Sequence, residues 1–197
     1  MMNEPLGQVV LVRHGETAWS LSKQHTGLTD IPLTDNGRAQ ARAVAPRLAD
    51  RTFTRVLTSP LSRARETCEL AGLGGRAEPR DELLEWDYGD YDGLTTAEIR
   101  ETVPDWTLWR DGCPNGEQAE DVGARADRLI AELRCEPGDT AVFAHGHVLR
   151  VIAACWAQLG PQAGARLALS TATMSVLGWE REIPVIWLWN DGSHLSP

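Results

Sequence analysis

Cysteine is scarce in this chain, and the cysteines lie too far apart to suggest a metal or redox motif. The 197 residues include four of them, Cys68, Cys113, Cys135 and Cys155, with no Cys-x-x-Cys pair. This spacing gives no support to zinc-binding or thioredoxin-like sites. A chain of this length can bury a core of its own, so a disulfide framework is not expected.

Long apolar runs and a recognisable leader are also missing. No window approaches the roughly 18 apolar residues that a membrane-spanning helix needs. Residues 1–7 show no positively charged stretch followed by an apolar one, so no signal peptide is expected. Together with unpaired cysteines, these absences predict a cytoplasmic protein without a membrane partner.

Positive charge is in deficit. The chain has 19 basic and 28 acidic side chains, which gives a formal net charge of −9. Proteins that coat nucleic acids or bind membrane surfaces need a broad positive field, so neither partner is expected. A small basic pocket stays compatible with this balance. The 42% hydrophobic and 24% charged content is typical of a soluble globular protein.

Apolar β-branched runs alternate with amphipathic helical patterns along the chain. This alternation predicts an α/β fold, a three-layer α/β/α sandwich with a mostly parallel central sheet. We expect one domain over residues 1–197, with a loop-rich excursion at 72–116 on the substrate side. The predicted strands are Gln8–Val12, Arg55–Thr58, Thr140–Ala144, and an antiparallel final pair, Met174–Trp179 and Pro184–Trp189.

Capping signals and apolar spacing predict the helices. Thr34 is the expected N-cap of a helix that Pro46 should kink or end early. Ser59 and Pro60 have the residue types of an N-cap and a first helical position. Three further helices are predicted, over Thr95–Glu101, Glu117–Leu133 and Val148–Leu159.

Basic side chains and histidines follow three of the predicted strands directly. They occur in Arg13-His14, in Ser59 to Arg65, and in His145-Gly146-His147. Ligands of such sheets bind beyond the carboxyl ends of the strands, where these groups would meet. Arginine matches phosphate oxygens bidentately, and the helix predicted from Pro60 would point free N–H groups at the same place. The pattern indicates a phosphate pocket.

A neutral imidazole beside a phosphate can attack phosphorus, and arginines can offset the developing charge. The leaving alkoxide then needs a proton. Glu85 is the best donor candidate, because the apolar Leu83, Leu84 and Trp86 around it favour a protonated carboxyl group.

These motifs resemble the histidine phosphatase superfamily, the phosphoglycerate-mutase-like enzymes. The likeness covers essentially the whole chain in the right order. It runs through Leu11-Val12-Arg13-His14-Gly15-Glu16-Thr17, Thr26-Gly27, Leu33-Thr34, Ser59-Pro60-Leu61-Ser62-Arg63-Ala64, Glu85 four residues before Gly89, and Ala144-His145-Gly146-His147.

The resemblance implies a role for each matching position. His14 would be the nucleophile that becomes phosphohistidine, and Glu85 would protonate the leaving group and then activate water. Arg13 and Arg63 would grip the phosphoryl oxygens, with His145 bonded to them from the opposite side. Thr26 and Gly27 would line the pocket; Ser20 stands where many members have asparagine. The resemblance requires no metal or other cofactor.

The resemblance also separates branches of the family. Cofactor-dependent mutases are longer, with a middle insertion that helps to close the site, so this shorter chain should hydrolyse its phosphohistidine. The segments Glu85 to Gly93, Trp109 to Glu117 and Ala144 to Arg150 look like a small branch of bacterial acid phosphatases and fungal sedoheptulose-1,7-bisphosphatase. We therefore expect a phosphomonoesterase for a small phosphorylated metabolite, with a sugar bisphosphate as one possibility; the alternative is a cofactor-dependent phosphoglycerate mutase.

Several hypotheses stay open at this point. His147, Arg110 and Arg150 are candidate contacts to substrate, the two arginines for a distal phosphate or carboxylate. His145 and His147 could also form a metal pair, but no third ligand stands out. The tryptophans Trp106 and Trp109 are either a pocket wall or packing under a loop. The last strand is either internal or pairs across a homodimer boundary.

Overall fold

Six strands form one mixed sheet in the computed structural model, which describes residues 6–195. Their order is β3-β2-β4-β1-β5-β6, with the first four parallel and the last two antiparallel. The predicted mostly parallel sheet and the antiparallel final pair are confirmed. The strands are β1 (Val9–Arg13), β2 (Phe53–Thr58), β3 (Ala77–Pro79), β4 (Asp139–Ala144), β5 (Met174–Glu180) and β6 (Ile183–Asp191).

Seven α-helices accompany the sheet in the described part of the chain. They are α1 (Ala18–Ser22), α2 (Asp35–Leu48), α3 (Ser62–Leu70), α4 (Thr96–Thr102), α5 (Leu108–Asp111), α6 (Ala119–Leu133) and α7 (Gly146–Trp156). Residues 1–5, part of the stretch expected to lack a leader, and residues 196–197 lie outside the described residues.

Side-chain alternation along the strands builds a core on each face of the sheet. In β1, Val9 and Leu11 pack into one cluster with α6 and α7, while Val10 and Val12 pack into another with α2 and α3. Successive side chains of a strand point to opposite faces, and both faces are covered here, which explains why β1 is an unbroken apolar run. The predicted three-layer α/β/α sandwich is confirmed.

The start of α3 corrects one prediction. The helix begins at Ser62 with Leu61 as N-cap, rather than at Pro60 after a Ser59 cap. The Ser59 hydroxyl is instead hydrogen-bonded to the His145 ring. A tertiary contact of the side chain has therefore replaced the local capping role that the sequence suggested.

The other boundaries lie within a few residues of expectation. Thr34 caps α2, which continues two residues past Pro46 to Leu48, so the proline does not end the helix early. The short helix predicted over Thr95–Glu101 is α4, which begins one residue later at Thr96 with Thr95 as its N-cap. The helix α7 starts at Gly146, two residues before the predicted Val148, and this makes His145 its N-cap.

The segment 72–116 has more structure than a loop-rich excursion suggests. It contributes the edge strand β3 and the short helix α5, neither of which the sequence predicts. The strand β3 pairs in parallel with β2. Between residues 6 and 195, no helix is both long enough and apolar enough to cross a membrane.

Candidate active site

The carboxyl ends of β1, β2 and β4 bring the predicted site residues together. Arg13 of β1 is in register with Ala144 of β4, and the next residues, His14 and His145, place their ring centroids 5.2 Å apart. The backbone N–H of Ser59, just after β2, donates to the Phe143 carbonyl at 2.9 Å. Neighbouring parallel strands that end at one edge therefore put two histidines at the same point of the fold.

His14 is held in one tautomer. Its Nδ1 lies 2.7 Å from the Gly15 carbonyl oxygen, which only accepts, so Nδ1 carries the proton and donates. The Nε2 atom of the neutral ring then keeps its lone pair. Burial, followed by the positive charges of Arg13 and Arg63, holds the pKa of His14 well below its usual range. The ring is therefore neutral at physiological pH, with Nε2 as its basic atom.

His145 is clamped from both sides. The Arg63 Nε–H donates to its Nδ1 at 3.0 Å, so the remaining ring proton is on Nε2 and donates to the Ser59 hydroxyl at 2.7 Å. Burial and the nearby Arg63 charge hold the pKa of His145 well below its usual range. The ring has one orientation and one protonation state at neutral pH.

Arg63 has little hydrogen-bonding capacity left. Besides His145, its guanidinium donates to the carbonyls of Thr26, Gly27 and Thr29, so four of its five N–H groups have protein acceptors. The side chain is fully buried. His145 is equally buried, and neither side chain lines the cavity; we call this pair, with the groups bonded to it, the floor of the site.

Arg13 lies in the cavity wall. Its Nη1 donates to the Leu169 carbonyl, while its buried Nε has no hydrogen-bond partner among the described residues. A Cβ atom on Gly146 would come within 3.3 Å of the Arg13 Cζ. The absent side chain at 146 therefore leaves room for the guanidinium beside His14.

Glu85 reaches the N-terminus of α7. Its Oε1 accepts from the backbone N–H groups of Trp86 and Val148, both at 2.9 Å, and its Oε2 accepts from His147 N at 3.0 Å. The sequence suggested a carboxyl group among apolar neighbours. The structure adds backbone donors at the positive end of a helix, which fix both carboxylate oxygens at the cavity.

A different helix was expected to present free N–H groups to the phosphate. In α3 the first backbone N–H, that of Ser62, donates to Asp30 Oδ1 at 3.0 Å. The Ser62 hydroxyl bonds to the same carboxylate at 2.8 Å. The Asp30 carboxylate therefore occupies this helix end, and the prediction that the first N–H group of α3 is free to bind a phosphate is wrong.

The cavity beside His14 has a volume of about 180 Å³. Ser20, Thr26, His147 and Arg150 of the predicted substrate contacts line it, together with Arg13, His14 and Glu85. Gly27 does not; its carbonyl accepts from Arg63 at 2.8 Å, so it supports the floor.

Arg110 lies elsewhere. Its exposed guanidinium is bonded to the Asp111 carboxylate and to the Asp105 carbonyl, and it is not part of the cavity wall. The expectation that Arg110 contacts substrate is corrected: α5 places its side chain outside the cavity, in a local ion pair. Arg150, its predicted partner, lies over the Trp109 ring at 4.7 Å and donates to the Gly164 carbonyl.

Several cavity residues were not singled out from the sequence. Lys23, the one lysine of the chain, lines the cavity, as do His25 and Tyr88. The Tyr88 hydroxyl and His147 Nδ1 share a hydrogen bond of 2.6 Å, and burial raises the pKa of Tyr88 well above its usual value. Only Tyr88 carried a signal, since it belongs to the distinctive Glu85 to Gly93 segment.

The two tryptophans considered as a pocket wall or as loop packing have different positions. Trp106 is buried in the core, with its indole N–H donating to the Gly112 carbonyl. Trp109 packs against the His147 ring at a centroid distance of 5.5 Å, and so supports the cavity wall from behind. In residues 6–195 no three His, Cys, Asp or Glu side chains group as metal ligands, which leaves the His145–His147 pair without a third ligand.

Comparison with known proteins identifies the family. Residues 9–192 match the histidine phosphatase superfamily (branch 1). The chain belongs to this superfamily. The resemblance drawn from the motifs is confirmed.

Similar proteins include phosphatases and mutases. The chain is 41% identical to an acid phosphatase of Mycobacterium tuberculosis over 92% of both chains. It is 40% identical to sedoheptulose 1,7-bisphosphatase of Saccharomyces cerevisiae over 78% of this chain and 68% of the relative. A 2,3-bisphosphoglycerate-dependent phosphoglycerate mutase 2 of Gloeobacter violaceus is 35% identical over 73% of each chain.

A solved structure supports the same assignment. The product of an open reading frame of Mycobacterium tuberculosis superimposes with a TM-score of 0.88 at 39% identity, covering 93% of this chain and 97% of the other. The two most similar of the named relatives above are phosphatases, and this histidine phosphatase is therefore a phosphoric monoester hydrolase.

Proposed function

We propose that this histidine phosphatase hydrolyses a small phosphorylated metabolite through a phosphohistidine formed on His14. The observation that carries the proposal is the bond from His14 Nδ1 to the Gly15 carbonyl, which leaves the Nε2 lone pair for the cavity. Attack by Nε2 forms an N–P bond as the ester P–O bond breaks. The low pKa of His14 keeps this nitrogen unprotonated.

Charge on the transferring phosphoryl group is offset by the arginines. Arg13 reaches the cavity beside His14 and has an unused Nε–H. Arg63 and His145 belong to the buried floor of the site, where a guanidinium is electrostatically effective because little water screens it. The arrangement supports transition-state stabilisation by one contacting arginine and one deeper charge.

Glu85 is the proposed acid and base. In the first step its carboxyl proton passes to the leaving alkoxide as the P–O bond breaks. In the second step the carboxylate takes a proton from water, whose oxygen attacks phosphorus and releases His14 and inorganic phosphate. No net proton is gained or lost by Glu85 over the cycle. Its fixed position in the cavity supports both transfers.

The rest of the cavity suits a polar, anionic substrate. Lys23 and Arg150 add positive charge to the cavity wall, and Tyr88 and His147 supply hydrogen-bonding groups. Ser20 and Thr26 add hydroxyl groups to the same wall. This distribution favours a substrate with a second acidic group, such as a sugar bisphosphate, over a monoester whose only charged group is the phosphate that is removed.

The experiment that tests the proposal is phosphate release from a panel of phosphorylated metabolites. We expect release in the presence of EDTA, and its loss in a His14→Ala variant. The competing phosphoglycerate mutase activity is tested with 3-phosphoglycerate, with and without a bisphosphate primer. Formation of 2-phosphoglycerate faster than free phosphate would establish the mutase instead and overturn the hydrolytic proposal.

Location and assembly stay predictions. We expect a cytoplasmic enzyme without nucleic-acid or membrane partners, because no broad positive field is predicted for this acidic chain. The edge strand β6 carries exposed Ile183 and Trp187. An exposed apolar edge of this kind supports the homodimer considered from the sequence, which sedimentation at several protein concentrations would test.

A further inference from the structure

Arg125 lies outside the cavity beside His14 but donates three of its five N–H groups to the segment that carries Glu85. The residue belongs to α6 and is 8% exposed. Its Nη1 donates to the carbonyls of Glu82 and Leu84 at 2.8 and 2.7 Å, and its Nη2 donates to the Glu85 carbonyl at 3.1 Å. These bonds join one guanidinium to three peptide groups within four residues.

The remaining two donors hold a carboxylate. Arg125 Nε and Nη2 donate to the two oxygens of Glu117 at 2.8 and 3.0 Å, in a bidentate pair. Glu117 in turn accepts from the Asp87 backbone N–H at 2.8 Å. The ion pair therefore fixes the chain on both sides of Glu85, before it through carbonyls and after it through an N–H.

The Glu85 segment needs such support, because residues 84–88 form neither helix nor strand. The Glu85 side chain points the other way, to the N–H groups of His147 and Val148 on α7. Glu85 is thus held between two helices: α6 fixes its main chain, and α7 fixes its carboxylate. A displacement of the main chain would move the carboxylate relative to the His14 cavity.

We propose that Arg125 is a positioning residue that aligns the proton-donating carboxyl group of Glu85 with the leaving group of the substrate. This inference rests on the proposed role of Glu85 as acid. Lysine cannot replace the arginine fully, because an ammonium group has three donors at one point where the planar guanidinium has five in a fixed fork.

The dependence of kcat/KM on the leaving group distinguishes a positioning role of Arg125 from a merely structural one. A nitrophenyl phosphate releases a stable phenolate that needs little protonation, whereas an alkyl phosphate releases an alkoxide that needs the acid. The quantity to compare is kcat/KM, which contains only the steps up to departure of the alcohol. It excludes hydrolysis of the phosphoenzyme, in which Glu85 acts as base.

The test compares Arg125→Lys with Glu85→Gln on both substrates. We expect Arg125→Lys to lower kcat/KM about 30-fold for the alkyl phosphate and less than about 3-fold for the nitrophenyl phosphate, because a misplaced acid loses only part of the roughly 10²–10⁴-fold that general acid catalysis contributes. Glu85→Gln should show the same pattern with a larger loss. Arg128→Lys, an exposed arginine on the same helix, should match the unmodified enzyme.

Each outcome decides the proposal. Equal losses on both substrates, or no loss, would overturn the positioning role of Arg125. If Glu85→Gln itself shows no preference for the better leaving group, the acid assignment fails separately. Should Arg125→Lys not fold, Glu117→Gln weakens the same ion pair from the other side, and the same unequal losses are then required of it.

Discussion

The Arg63 Nε–H donates to His145 Nδ1 at 3.0 Å, across 82 residues of sequence. Because an arginine Nε–H only donates, this one bond decides the tautomer of the histidine. It also directs the other ring proton to Ser59. The floor of the active site is therefore a fixed chain of hydrogen bonds from α3 to the ends of β2 and β4.

Replacing Arg63 by lysine should break this chain while keeping the charge. A lysine cannot serve His145 and the carbonyls of Thr26, Gly27 and Thr29 together, so the ring and the loop would lose their common anchor. We expect kcat/KM to fall about 100-fold, as for a misplaced catalytic group. Steady-state assays measure it, with Arg65→Lys, an exposed neighbour on α3, as the control. Equal activities of the two variants would contradict the prediction.

Turnover should pass through a phosphoenzyme on His14. Rapid quenching with a labelled substrate should trap an acid-labile, base-stable adduct, as expected for a phosphorylated imidazole. The adduct should map to His14 by peptide mass and disappear in His14→Ala. His194→Ala, which changes a histidine bonded to the Ala172 carbonyl outside the cavity, should leave it intact. An acid-stable adduct would point to a different nucleophile.

A methyl group at position 146 should disturb Arg13 selectively. A Cβ atom there would stand 3.3 Å from both Cζ and Nε of the guanidinium, which would have to shift by a few tenths of an ångström. We expect Gly146→Ala to lower kcat/KM about 10-fold, because small misplacements at the reacting centre are costly. Gly75→Ala, where a Cβ atom meets nothing within 4 Å, is the matched control. An unchanged kcat/KM for Gly146→Ala would show that Arg13 tolerates the shift.

Stability should decline as pH falls below the usual histidine range. Burial holds the pKa values of His14, His145 and His147 well below that range in the folded state. The unfolded chain, with pKa values of about 6.5, then binds more protons, so acid favours unfolding. Each such histidine contributes a slope of up to about 1.4 kcal/mol per pH unit below this value.

Urea unfolding between pH 7.5 and pH 5 measures this slope. His147→Gln should reduce it by the share of one histidine, since glutamine does not titrate. His194→Gln, at a partly buried histidine outside the cavity, is the comparison variant. A free energy of unfolding that rises towards pH 5 would contradict the sign of the prediction.

Arg150 should set a preference for substrates with a second anionic group. It lines the cavity and is held over Trp109 by its bond to the Gly164 carbonyl. We expect Arg150→Ala to raise the KM for a sugar bisphosphate about 10-fold or more, in line with loss of a charged hydrogen bond, and to change the KM for a small monophosphate little. Arg110→Ala, outside the cavity, is the control. A bisphosphate preference that survives Arg150→Ala would remove this role.

The fold was largely predictable because its signals are local. The apolar run of β1, the Thr34 cap of α2 and the Thr95 cap of α4 each depend on neighbours in sequence. The start of α3 was not predictable in this way. Ser59 has the residue type of an N-cap, but its hydroxyl is hydrogen-bonded to His145, 86 residues away. A local propensity yields here to a tertiary hydrogen bond.

The same distinction applies to the site. The motifs placed Arg13, His14 and His145 at one edge because parallel strand ends converge, whatever the side-chain details. They could not show that the donors of Arg63 are mostly taken by carbonyls of a distant loop. Nor could they show that the Arg110 side chain forms an ion pair with Asp111 outside the cavity.

The contrast between floor and wall has an evolutionary consequence. Floor groups such as Arg63 and His145 are so fully committed to their own polypeptide that almost any exchange there damages the fold and the reaction together. Cavity-lining residues such as Lys23 and Leu169 lie on irregular connections, and their side chains are not committed to comparable hydrogen-bond networks. Descendants of this protein can accordingly change the metabolite that they accept through substitutions at cavity-lining positions, while the phosphoryl-transfer chemistry is retained.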